Sequence, residues 1–433
     1  MSKTLVSRYF SSIVKQGTLQ VTFADGTQQL FGDPAPGFPD VALTFADSRV
    51  ARDIVLDPRL GAAEAYMDGR LTLQRGGIME LVELLRSNAP WDRGGTIGGP
   101  SLLRRIRNRI GFAREAINDA VGSRRNVSHH YDIGNDLYRL MLDTEHMQYS
   151  CAYWTEGVET LAQAQEAKLA HIAAKLFLRE GDTVLDIGCG WGGMAIFLAS
   201  NFDVRVTGIT LSQEQLALAE DRAREAGVSN RVSFELIDYR ELPKREKRYD
   251  RIVSVGMFEH VGRPQFETFF KSCANLLVDD GVMLLHTIGR IGTPGTTDAF
   301  TRKYIFPGGY IPALSETVAA SEKFRLIASD TEMLRLHYAK TIRAWYANCL
   351  KHRDQIVALH DERFFRMWTF YLAGATSSFE NGGMCNYQIQ YCRDRRVLPL
   401  TRGYMTEAEA DLLNPARRLV ESGGRGCAEF EPR

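Results

Sequence analysis

Short apolar runs alternate with helical patterns through the middle of this 433-residue chain. Five of these runs have the length and β-branched content of buried strands. They cover Thr183–Ile187 and residues 204–209, 232–237, 249–255 and 281–289. The helical patterns before and between them cover residues 161–177, 194–199, 214–226 and 266–277. Strands that alternate with helices predict an α/β fold with a doubly wound, mostly parallel sheet.

The regions on either side have different patterns. Residues 1–90 predict a small α+β domain, with a hairpin over residues 18–31, a further strand over 41–45, and short helices over 61–69 and 78–85. Residues 300–380 predict a helical insertion rich in tyrosine, phenylalanine and tryptophan. Residues 387–391 alternate like a last edge strand, and the polar tail from residue 394 is expected to be loosely ordered. The predicted domains are therefore 1–90, a linker 91–128, a catalytic domain 129–393 and a tail 394–433.

A glycine-rich turn follows the first predicted strand of the catalytic domain. It runs from Asp186 through Gly188, Gly190 and Gly192 into a helix. A strand, a glycine turn and a helix N-terminus together present backbone N–H groups to a bound cofactor. The glycine spacing is one residue too tight for the dinucleotide fingerprint, and the second strand ends without an acid. Both departures argue against NAD, and the turn instead resembles the first motif of class I methyltransferases, which bind S-adenosylmethionine (SAM).

Polar residues end the third, fourth and fifth predicted strands. Asp238 and Tyr239 follow the third strand, Glu259 and His260 follow the fourth, and His286 lies near the end of the fifth. The carboxyl ends of parallel strands meet at one edge of the sheet, next to the cofactor turn. We therefore interpret Glu259 and His286 as functional residues rather than structural hydrogen-bonding groups. For His260 both interpretations stay open.

Composition excludes several classes of protein. Lys plus Arg and Asp plus Glu both number 53, so the net charge predicts no nucleic-acid partner. No apolar run reaches the roughly 20 residues of a membrane-spanning helix, and none at the N-terminus predicts a signal peptide. The seven cysteines lack C-x-x-C spacing, which is typical of free thiols in a reducing cytoplasm.

Two features before the catalytic domain allow more than one interpretation. Residues 102–110 place four arginines, Arg104, Arg105, Arg107 and Arg109, between apolar residues at helical spacing. Such a helix can lie on an anionic membrane or pack against its own protein. His129 and His130 have no further ligand at metal-binding spacing, so we predict hydrogen-bonding histidines and no metal. The polar and aromatic residues around them, and those of residues 147–154, suggest a lid or pocket wall.

Several segments together resemble bacterial cyclopropane-fatty-acyl-phospholipid synthases. The resemblance covers about residues 125–393, in order and at the family's spacing, and is carried by residues 130–136, 147–154, 184–193, 208–212, 254–262, 285–289, 304–309 and 344–346. The N-terminal region is similar, more weakly, to the extra domain of the bacterial enzymes. The late helix departs from the family pattern, because Ala375 stands where a cysteine is frequent.

The resemblance implies a reaction and a catalytic set. In this family the methyl group of SAM adds to a cis double bond of a phospholipid acyl chain, and the resulting carbocation loses a proton as the ring closes. A bound bicarbonate is the base. Carried over residue by residue, the resemblance implies that Cys151 and Ile288 hold the bicarbonate through backbone groups. It implies that Glu259, His286 and Tyr338 hold it through side chains. If Glu259 lies beside the bicarbonate, the two groups must share a proton, because two unprotonated anions in a dry site repel each other.

The resemblance also implies the SAM site and the partners. The implied SAM-binding residues are Tyr149, Ser150, Val184, Asp186, Gly188, Cys189, Gly190, Trp191, Gly192, Thr210, Leu211, Ser212, Gln215, Asp238 and Tyr239. The implied partners are a phospholipid bilayer surface, at the inner face of the membrane, and a second copy in a homodimer. The alternatives are a lipid C-methyltransferase giving methyl-branched or methylene products, a small-molecule N-methyltransferase, and a non-catalytic lipid-binding protein.

Overall fold

A seven-stranded sheet forms the centre of the protein, for which a computed structural model describes residues 2–95 and 134–414. The strand order is β10-β11-β9-β8-β5-β6-β7. Strands β5 to β9 pair in parallel, whereas β11 pairs antiparallel with β9 and β10 antiparallel with β11. Their bounds are β5 Thr183–Ile187, β6 Arg205–Thr210, β7 Val232–Leu236, β8 Tyr249–Val255, β9 Leu277–Arg290, β10 Ile327–Met333 and β11 Met384–Cys392. The predicted α/β class with a doubly wound, mostly parallel sheet is confirmed.

The edge strand was predicted wrongly. Residues 387–391 belong to β11, which is buried along nearly its whole length between β9 and β10. The edge on this side of the sheet is β10, Ile327–Met333, inside the region that was expected to be helical. Its sequence is mostly polar and mostly exposed, as suits a strand with one free edge, and it lacks the apolar run by which a buried strand is found.

Helices cover both faces of the sheet. Those of the sheet unit are α5 Asn135–Met141, α6 Leu161–Leu176, α7 Gly193–Asn201, α8 Gln213–Glu225, α9 Phe266–Leu276 and α10 Leu314–Glu322. Helix α6 begins at a capping box, in which Thr160 Oγ1 accepts from the backbone N–H of Gln163 and the Gln163 side chain returns to Thr160. It is Ala-rich and buried along most of its length, which lets it pack closely against the sheet.

Up to residue 414, where the described part of the chain ends, the insertion and the tail add four more α-helices. They are α11 His337–Lys351, α12 Arg353–Leu359, α13 Glu362–Glu380 and α14 Gly403–Leu413. The prediction of a loosely ordered tail is wrong for α14, because its Glu409 pairs with buried His171 of α6 at 2.6 Å. Tyr404 of the same helix accepts a hydrogen bond from the side-chain amide of Gln390 at 2.8 Å. These polar contacts depend on distant residues, so the local pattern does not reveal them.

The N-terminal unit is a four-stranded sheet with four helices, as the predicted α+β class requires. Its strands, in the order β2-β1-β3-β4, are β1 Thr18–Thr22, β2 Gln28–Phe31, β3 Asp40–Phe45 and β4 Leu71–Arg75. Its helices are α1 Ser2–Ile13, α2 Ser48–Leu56, α3 Pro58–Met67 and α4 Ile78–Ser87, of which α1 and α2 escaped the sequence analysis. The unit packs against α13, where Ala373 is fully buried within the N-terminal core.

Three sequence predictions lie partly or wholly outside the described residues. The arginine-rich residues 102–110 and the His129–His130 pair fall between residues 95 and 134, as does most of the predicted linker. Within the described ranges, no helix is long and apolar enough to span a membrane. No group of three or more His, Cys, Asp or Glu side chains in these ranges is arranged to hold a metal ion.

Candidate active site

The glycine turn between β5 and α7 is held close to two neighbouring segments. The backbone N–H groups of Gly188 and Cys189 both donate to the carbonyl oxygen of Ile209 on β6, at 2.9 and 3.0 Å. Gly188 has a φ of +84°, and a Cβ at this position would lie 2.7 Å from Cβ and Cγ of Met257. Both the backbone angle and the space therefore require glycine at position 188.

A matched pair of variants separates these two requirements. Gly181 has a φ of +83° but nothing within 4 Å of its virtual Cβ among the described residues, so Gly181→Ala carries the backbone strain alone. Both variants carry a backbone strain of about 1–3 kcal/mol. Gly188→Ala must also displace Met257, so we expect it to bind SAM at least roughly tenfold more weakly than Gly181→Ala does. Isothermal titration calorimetry with SAM checks this. Equal SAM affinities in the two variants would contradict it.

A cavity opens at the carboxyl ends of the parallel strands, beside this turn. Most of the predicted SAM residues line it, namely Tyr149, Ser150, Asp186, Gly188, Cys189, Gly190, Trp191, Thr210, Leu211, Gln215, Asp238 and Tyr239. Three predicted residues do not line it. Val184 is buried inside β5, Gly192 precedes α7 and faces Phe234, and Ser212 caps α8 by accepting from the backbone N–H of Gln215.

Polar side chains on two strand ends shape the cavity wall. Thr210 Oγ1 donates to Gln215 Oε1 at 2.9 Å, which fixes both groups at the end of β6. Beyond β7, Asp238 accepts from the backbone N–H of Arg240 at 3.0 Å and from its guanidinium at 2.8 and 2.6 Å. Arg240 also lies over the ring of Tyr239 and lines the cavity. Arg240 was not among the predicted residues, yet it holds Asp238, one of the predicted SAM-binding residues.

A buried lysine that was not predicted from the sequence lies behind the cavity wall. Lys168 of α6 is completely buried and donates to Gln148 Oε1 and, at 3.1 Å, to Ser150 Oγ. Burial lowers the pKa of Lys168 to about 7 and raises that of Asp186, at the end of β5, also to about 7. Gln148 and Ser150 line the cavity, so Lys168 is a positioning residue for that wall.

Glu259 lies next to the cavity, in the 3₁₀ turn Phe258–His260 after β8. Its Oε1 accepts from the backbone N–H of Ile288 at 2.6 Å. Its Oε2 is buried and has no hydrogen-bond partner among the described residues. Burial raises the pKa of Glu259 to about 7, so the carboxyl exists in both protonation states near neutral pH. The following residue, His260, lines the cavity, and burial lowers its pKa to about 4.

His286 is completely buried, and both ring nitrogens contact side chains of β11. Gln388 Oε1 accepts from Lys175 Nζ at 2.9 Å, so its amide nitrogen faces His286 Nδ1, 3.1 Å away. Burial lowers the pKa of His286 well below its usual range, and the single proton of the neutral ring is therefore on Nε2. Nε2 lies 3.4 Å from the side-chain amide of Asn386. When the carbonyl oxygen of that amide is turned toward the ring, it accepts from the Nε2–H, and both side chains are satisfied.

Asn386 connects these two predicted catalytic residues, and the sequence analysis missed it. It pairs across β11 and β9 with Ile288, whose N–H binds Glu259. The signal in the sequence is a polar stripe, since Asn386, Gln388 and Gln390 alternate in a strand that is otherwise apolar and aromatic. All three side chains are buried, so each needs polar partners inside the protein.

Cys151 and Tyr338 lie in an aromatic cluster on the other side of the site. Cys151 is completely buried, and burial raises the pKa of its thiol, which argues against a nucleophilic thiolate. Tyr338 packs edge-on against Trp345 and Phe379, and the hydroxyl groups of Tyr149 and Tyr371 lie 3.4 Å apart in the same cluster. The structure thus joins Glu259 directly to Ile288. None of the five predicted catalytic residues lines the cofactor cavity itself, although their chain neighbours Ser150 and His260 do.

Comparison with known proteins gives a consistent result. Residues 119–389 match the family described as mycolic acid cyclopropane synthetase, and residues 4–90 match a domain of unknown function. The chain is 43% identical over 264 residues to the cyclopropane-fatty-acyl-phospholipid synthase of Escherichia coli, covering 61% of this chain and 66% of that enzyme, just under two thirds of its length. It is 31% identical to the tuberculostearic acid methyltransferase of Mycobacterium tuberculosis, covering 91% of this chain and 92% of that protein.

The fold is also that of a solved relative. A mycolic acid cyclopropane synthase, crystallised with SAH and CTAB, superposes with a TM-score of 0.58 at 33% identity, covering 62% of this chain and 97% of that one. The likeness of sequence and fold supports SAM as the co-substrate and methyl transfer as the chemistry. The cavity, the glycine turn and these matches together establish that the chain belongs to the mycolic acid cyclopropane synthetase family of SAM-dependent methyltransferases.

Proposed function

We propose that the protein is a cyclopropane fatty acid synthase, which transfers a methylene from SAM onto the cis double bond of unsaturated phospholipid acyl chains. The observation that carries the proposal is Glu259, a buried carboxyl with one unpartnered oxygen among the described residues, next to the cofactor cavity. Ring closure requires a proton to leave a carbocation in a place that water does not reach. A buried acid–base group at the cofactor suits that task.

The aromatic cluster supports an acyl chain as the acceptor. Tyr149 lines the cofactor cavity and also packs against Trp345, with ring centroids 5.0 Å apart. Phe306 and Tyr371 extend the cluster, with centroids 6.1 Å apart. An alkene is a weak nucleophile, so the reaction needs a dry and pre-organised site, and aromatic faces stabilise a neighbouring cation. The cluster offers both beside the methyl donor.

The residues present also fit a bicarbonate ion as the base. The buried Glu259 Oε2 has no hydrogen-bond partner among the described residues, and with the Asn386 carbonyl oxygen turned to His286 Nε2, the Asn386 NH2 group has none there either. A protonated Glu259 can donate to an anion, and Cys151 and Tyr338 would contact it directly. The Ile288 N–H already donates to Glu259 and both ring nitrogens of His286 contact β11, so these two residues would act by positioning Glu259 and the adjacent strand. When bound, bicarbonate would supply a base that accepts the proton lost on ring closure. Glu259 would hold and share the proton at Oε2, and the Ile288 N–H fixes its other oxygen.

A product assay tests the proposed function. Purified protein is incubated with SAM and vesicles of cis-monounsaturated phospholipid, and mass spectrometry looks for one added CH2 per acyl chain. Proton NMR should then show upfield cyclopropyl signals, and bicarbonate depletion should lower the rate. An added CH2 with vinylidene or methyl-branch signals would replace ring closure by C-methylation. Absence of any lipid product would reject the proposal.

C-methylation is the second candidate, because one relative that matches almost the whole chain is a tuberculostearic acid methyltransferase. The same carbocation gives a methyl-branched alkene when it loses a proton from a chain carbon, and a methylene product when a 1,2-hydride shift precedes the loss of a methyl proton. The distinction therefore depends on where the base lies relative to the cation. The NMR signals of the product decide between the two outcomes.

We further propose that the protein works at the cytoplasmic face of a membrane, as a homodimer. The arginine-rich residues 102–110 support surface binding through their sequence, since basic amphipathic segments are attracted to anionic lipid. Replacing Arg104, Arg105, Arg107 and Arg109 by glutamine should weaken binding to anionic vesicles by roughly 1 kcal/mol per arginine at low salt. A vesicle sedimentation assay measures this. Unchanged sedimentation would discard the membrane role of this segment.

A further inference from the structure

Strand β9 continues beyond the catalytic residues to an arginine. Side chains alternate along a strand, so His286, Ile288 and Arg290 lie on one face, with Arg290 roughly 7 Å further along than Ile288. Ile288 packs against the aromatic cluster. Arg290 therefore lies at the rim of that cluster, on the side of the N-terminal unit.

The guanidinium of Arg290 is half-buried and only partly satisfied. Its Nη2 donates to the carbonyl oxygen of Thr296 at 3.0 Å. Its Nε is buried and has no hydrogen-bond partner within residues 2–95 and 134–414. The Arg290 guanidinium lies so close to Gly295 that a Cβ added to this glycine would be 3.0 Å from Nε. A buried N–H donor without an acceptor is costly and calls for a ligand.

Two arginines of the N-terminal unit lie near Arg290. Arg86, half-buried in the last turn of α4, lies so close to the segment before β11 that a Cβ at Gly382 would be 2.9 Å from its Nη2. The next residue, Gly383, accepts from the backbone N–H of Ile291, which follows Arg290. Arg59 of α3 acts on both Arg86 and Arg290 as a like charge, and burial together with this repulsion lowers the pKa of Arg86 to about 10. We call Arg59, Arg86 and Arg290 the arginine cluster.

The arginine cluster lacks a matching acid. No carboxylate of the described residues forms an ion pair with any of its three members. Asp298 is the acid that acts on both Arg86 and Arg290, but its oxygens accept from the backbone N–H groups of Phe300 and Thr301 and from the Thr301 hydroxyl. Glu316 also acts on Arg290, but it forms an ion pair with Arg263 at 2.8 Å. With both acids engaged elsewhere, the three arginines keep an excess positive charge that an anion with several acceptor oxygens would offset.

The surroundings favour a lipid over a free ion. Trp91 and Ile291 are 44% and 37% exposed, and the Trp91 ring packs against the backbone of Gly383, next to the contact of Arg86. Exposed tryptophan beside basic residues is typical of protein surfaces at the lipid headgroup level. Two residues beyond Asp298, Phe300 enters the aromatic cluster. Charge at the rim and aromatic side chains inside match a molecule with an anionic head and an apolar tail.

We propose that the arginine cluster binds the phosphodiester of the phospholipid substrate while its acyl chain enters the aromatic cluster. The assignment rests on the proposed lipid substrate. It gives the N-terminal unit a direct role in substrate binding, because two of the three arginines belong to it. It also predicts that the arginine cluster does not increase the affinity for a lipid that lacks a phosphate.

Binding to soluble short-chain lipids tests the assignment without turnover. The probes are dihexanoyl phosphatidylglycerol, dihexanoylglycerol and inorganic phosphate, titrated into the full-length protein by calorimetry. We expect Arg86→Gln with Arg290→Gln to weaken phosphatidylglycerol binding about 10- to 100-fold, as for lost charged hydrogen bonds, and to leave dihexanoylglycerol binding unchanged. The control is Arg224→Gln with Arg248→Gln, which removes the same charge from exposed ion pairs and should change nothing.

Each other outcome overturns the proposal. Unchanged phosphatidylglycerol binding, or an equal loss for both lipids, would exclude a phosphate contact. Inorganic phosphate that binds as tightly as phosphatidylglycerol would make this a free-phosphate site. If the double variant fails to fold, Arg59→Gln decides, since Arg59 is exposed and its loss should still weaken phosphatidylglycerol binding severalfold.

Turnover separates this proposal from the proposed function. A cyclopropane product that forms at the same kcat/KM in wild type and variant would overturn the arginine cluster alone. Arginine-dependent lipid binding without any lipid product would overturn the synthase activity and leave the binding site in place.

Discussion

Glu259→Gln is expected to lower turnover by roughly two to four orders of magnitude while SAM binding is retained, as for loss of an acid–base group. The amide keeps an oxygen to accept from the Ile288 N–H, so the geometry of this contact is preserved. It cannot hold or release a proton at the second position, where the buried Oε2 of the wild type has no partner among the described residues. Steady-state kinetics with unsaturated phospholipid vesicles, and calorimetry with SAM, measure the two effects.

The pH dependence gives the same prediction a second readout. Burial raises the pKa of Glu259 to about 7, so its protonated form is lost as the pH rises through that value. If this form organises the base, wild-type kcat at saturating bicarbonate should fall above a pH of about 7, and the glutamine variant should lack this limb. Equal turnover in both proteins would remove Glu259 from the mechanism. Glu267→Gln, an exposed carboxylate in an ion pair on α9, is the matched control.

Stability distinguishes a catalytic effect from misfolding. An acid whose pKa is raised on folding binds more protons in the native state, so its stabilising contribution falls as the pH rises from the unfolded value of roughly 4.3 through the folded one. Glutamine carries no such cost. The variant should therefore be at least as stable as the wild type at pH 8, and a lower midpoint of thermal unfolding there would point to structural damage.

Glu332→Gln is expected to destabilise the protein by about 3 kcal/mol, as for breaking a buried ion pair. Glu332 on β10 accepts from Lys175 Nζ and, at 2.8 Å, from His171 Nε2, and it also accepts from the Tyr153 hydroxyl at 3.3 Å. Lys175 is 1% exposed and His171 is 5% exposed, so neither can turn to water when the charge is removed. Differential scanning calorimetry should show a clear fall in the unfolding midpoint.

A surface variant and a pH series serve as controls. Asp279→Asn removes an ion pair with Arg248 in which the aspartate is 88% exposed, and should change stability little. Hydrogen bonds and charges from His171 and Lys175 hold the pKa of Glu332 well below its usual range against the opposing effect of burial. Its stabilisation is therefore complete above the unfolded pKa of about 4.3 and is lost as the pH falls below it. A gap between wild type and Glu332→Gln that stays constant down to pH 3 would contradict this assignment.

The contribution of α14 shows where sequence reasoning reached its limit. The tail from residue 394 looks polar and unstructured in the sequence, yet α14 is fixed by Glu409 to the same His171 that binds Glu332. Edge strand β10 went unrecognised for a related reason, since its polar residues face solvent or this buried network. Local patterns record apolar burial well, but they do not record polar groups that are buried because a distant partner satisfies them.

The sequence by itself determined the α/β class, the five parallel strands along the chain and the cofactor turn, because apolar periodicity and glycine conformations act locally. It also placed Glu259 just after β8, through the rule that parallel strands end at one edge, whereas His286 lies inside β9, which ends at Arg290. Only the tertiary structure decided that Glu259 meets the Ile288 N–H and that both nitrogens of His286 contact β11. Those contacts join residues far apart in the chain, and only the packing of β9 between β8 and β11 brings them together.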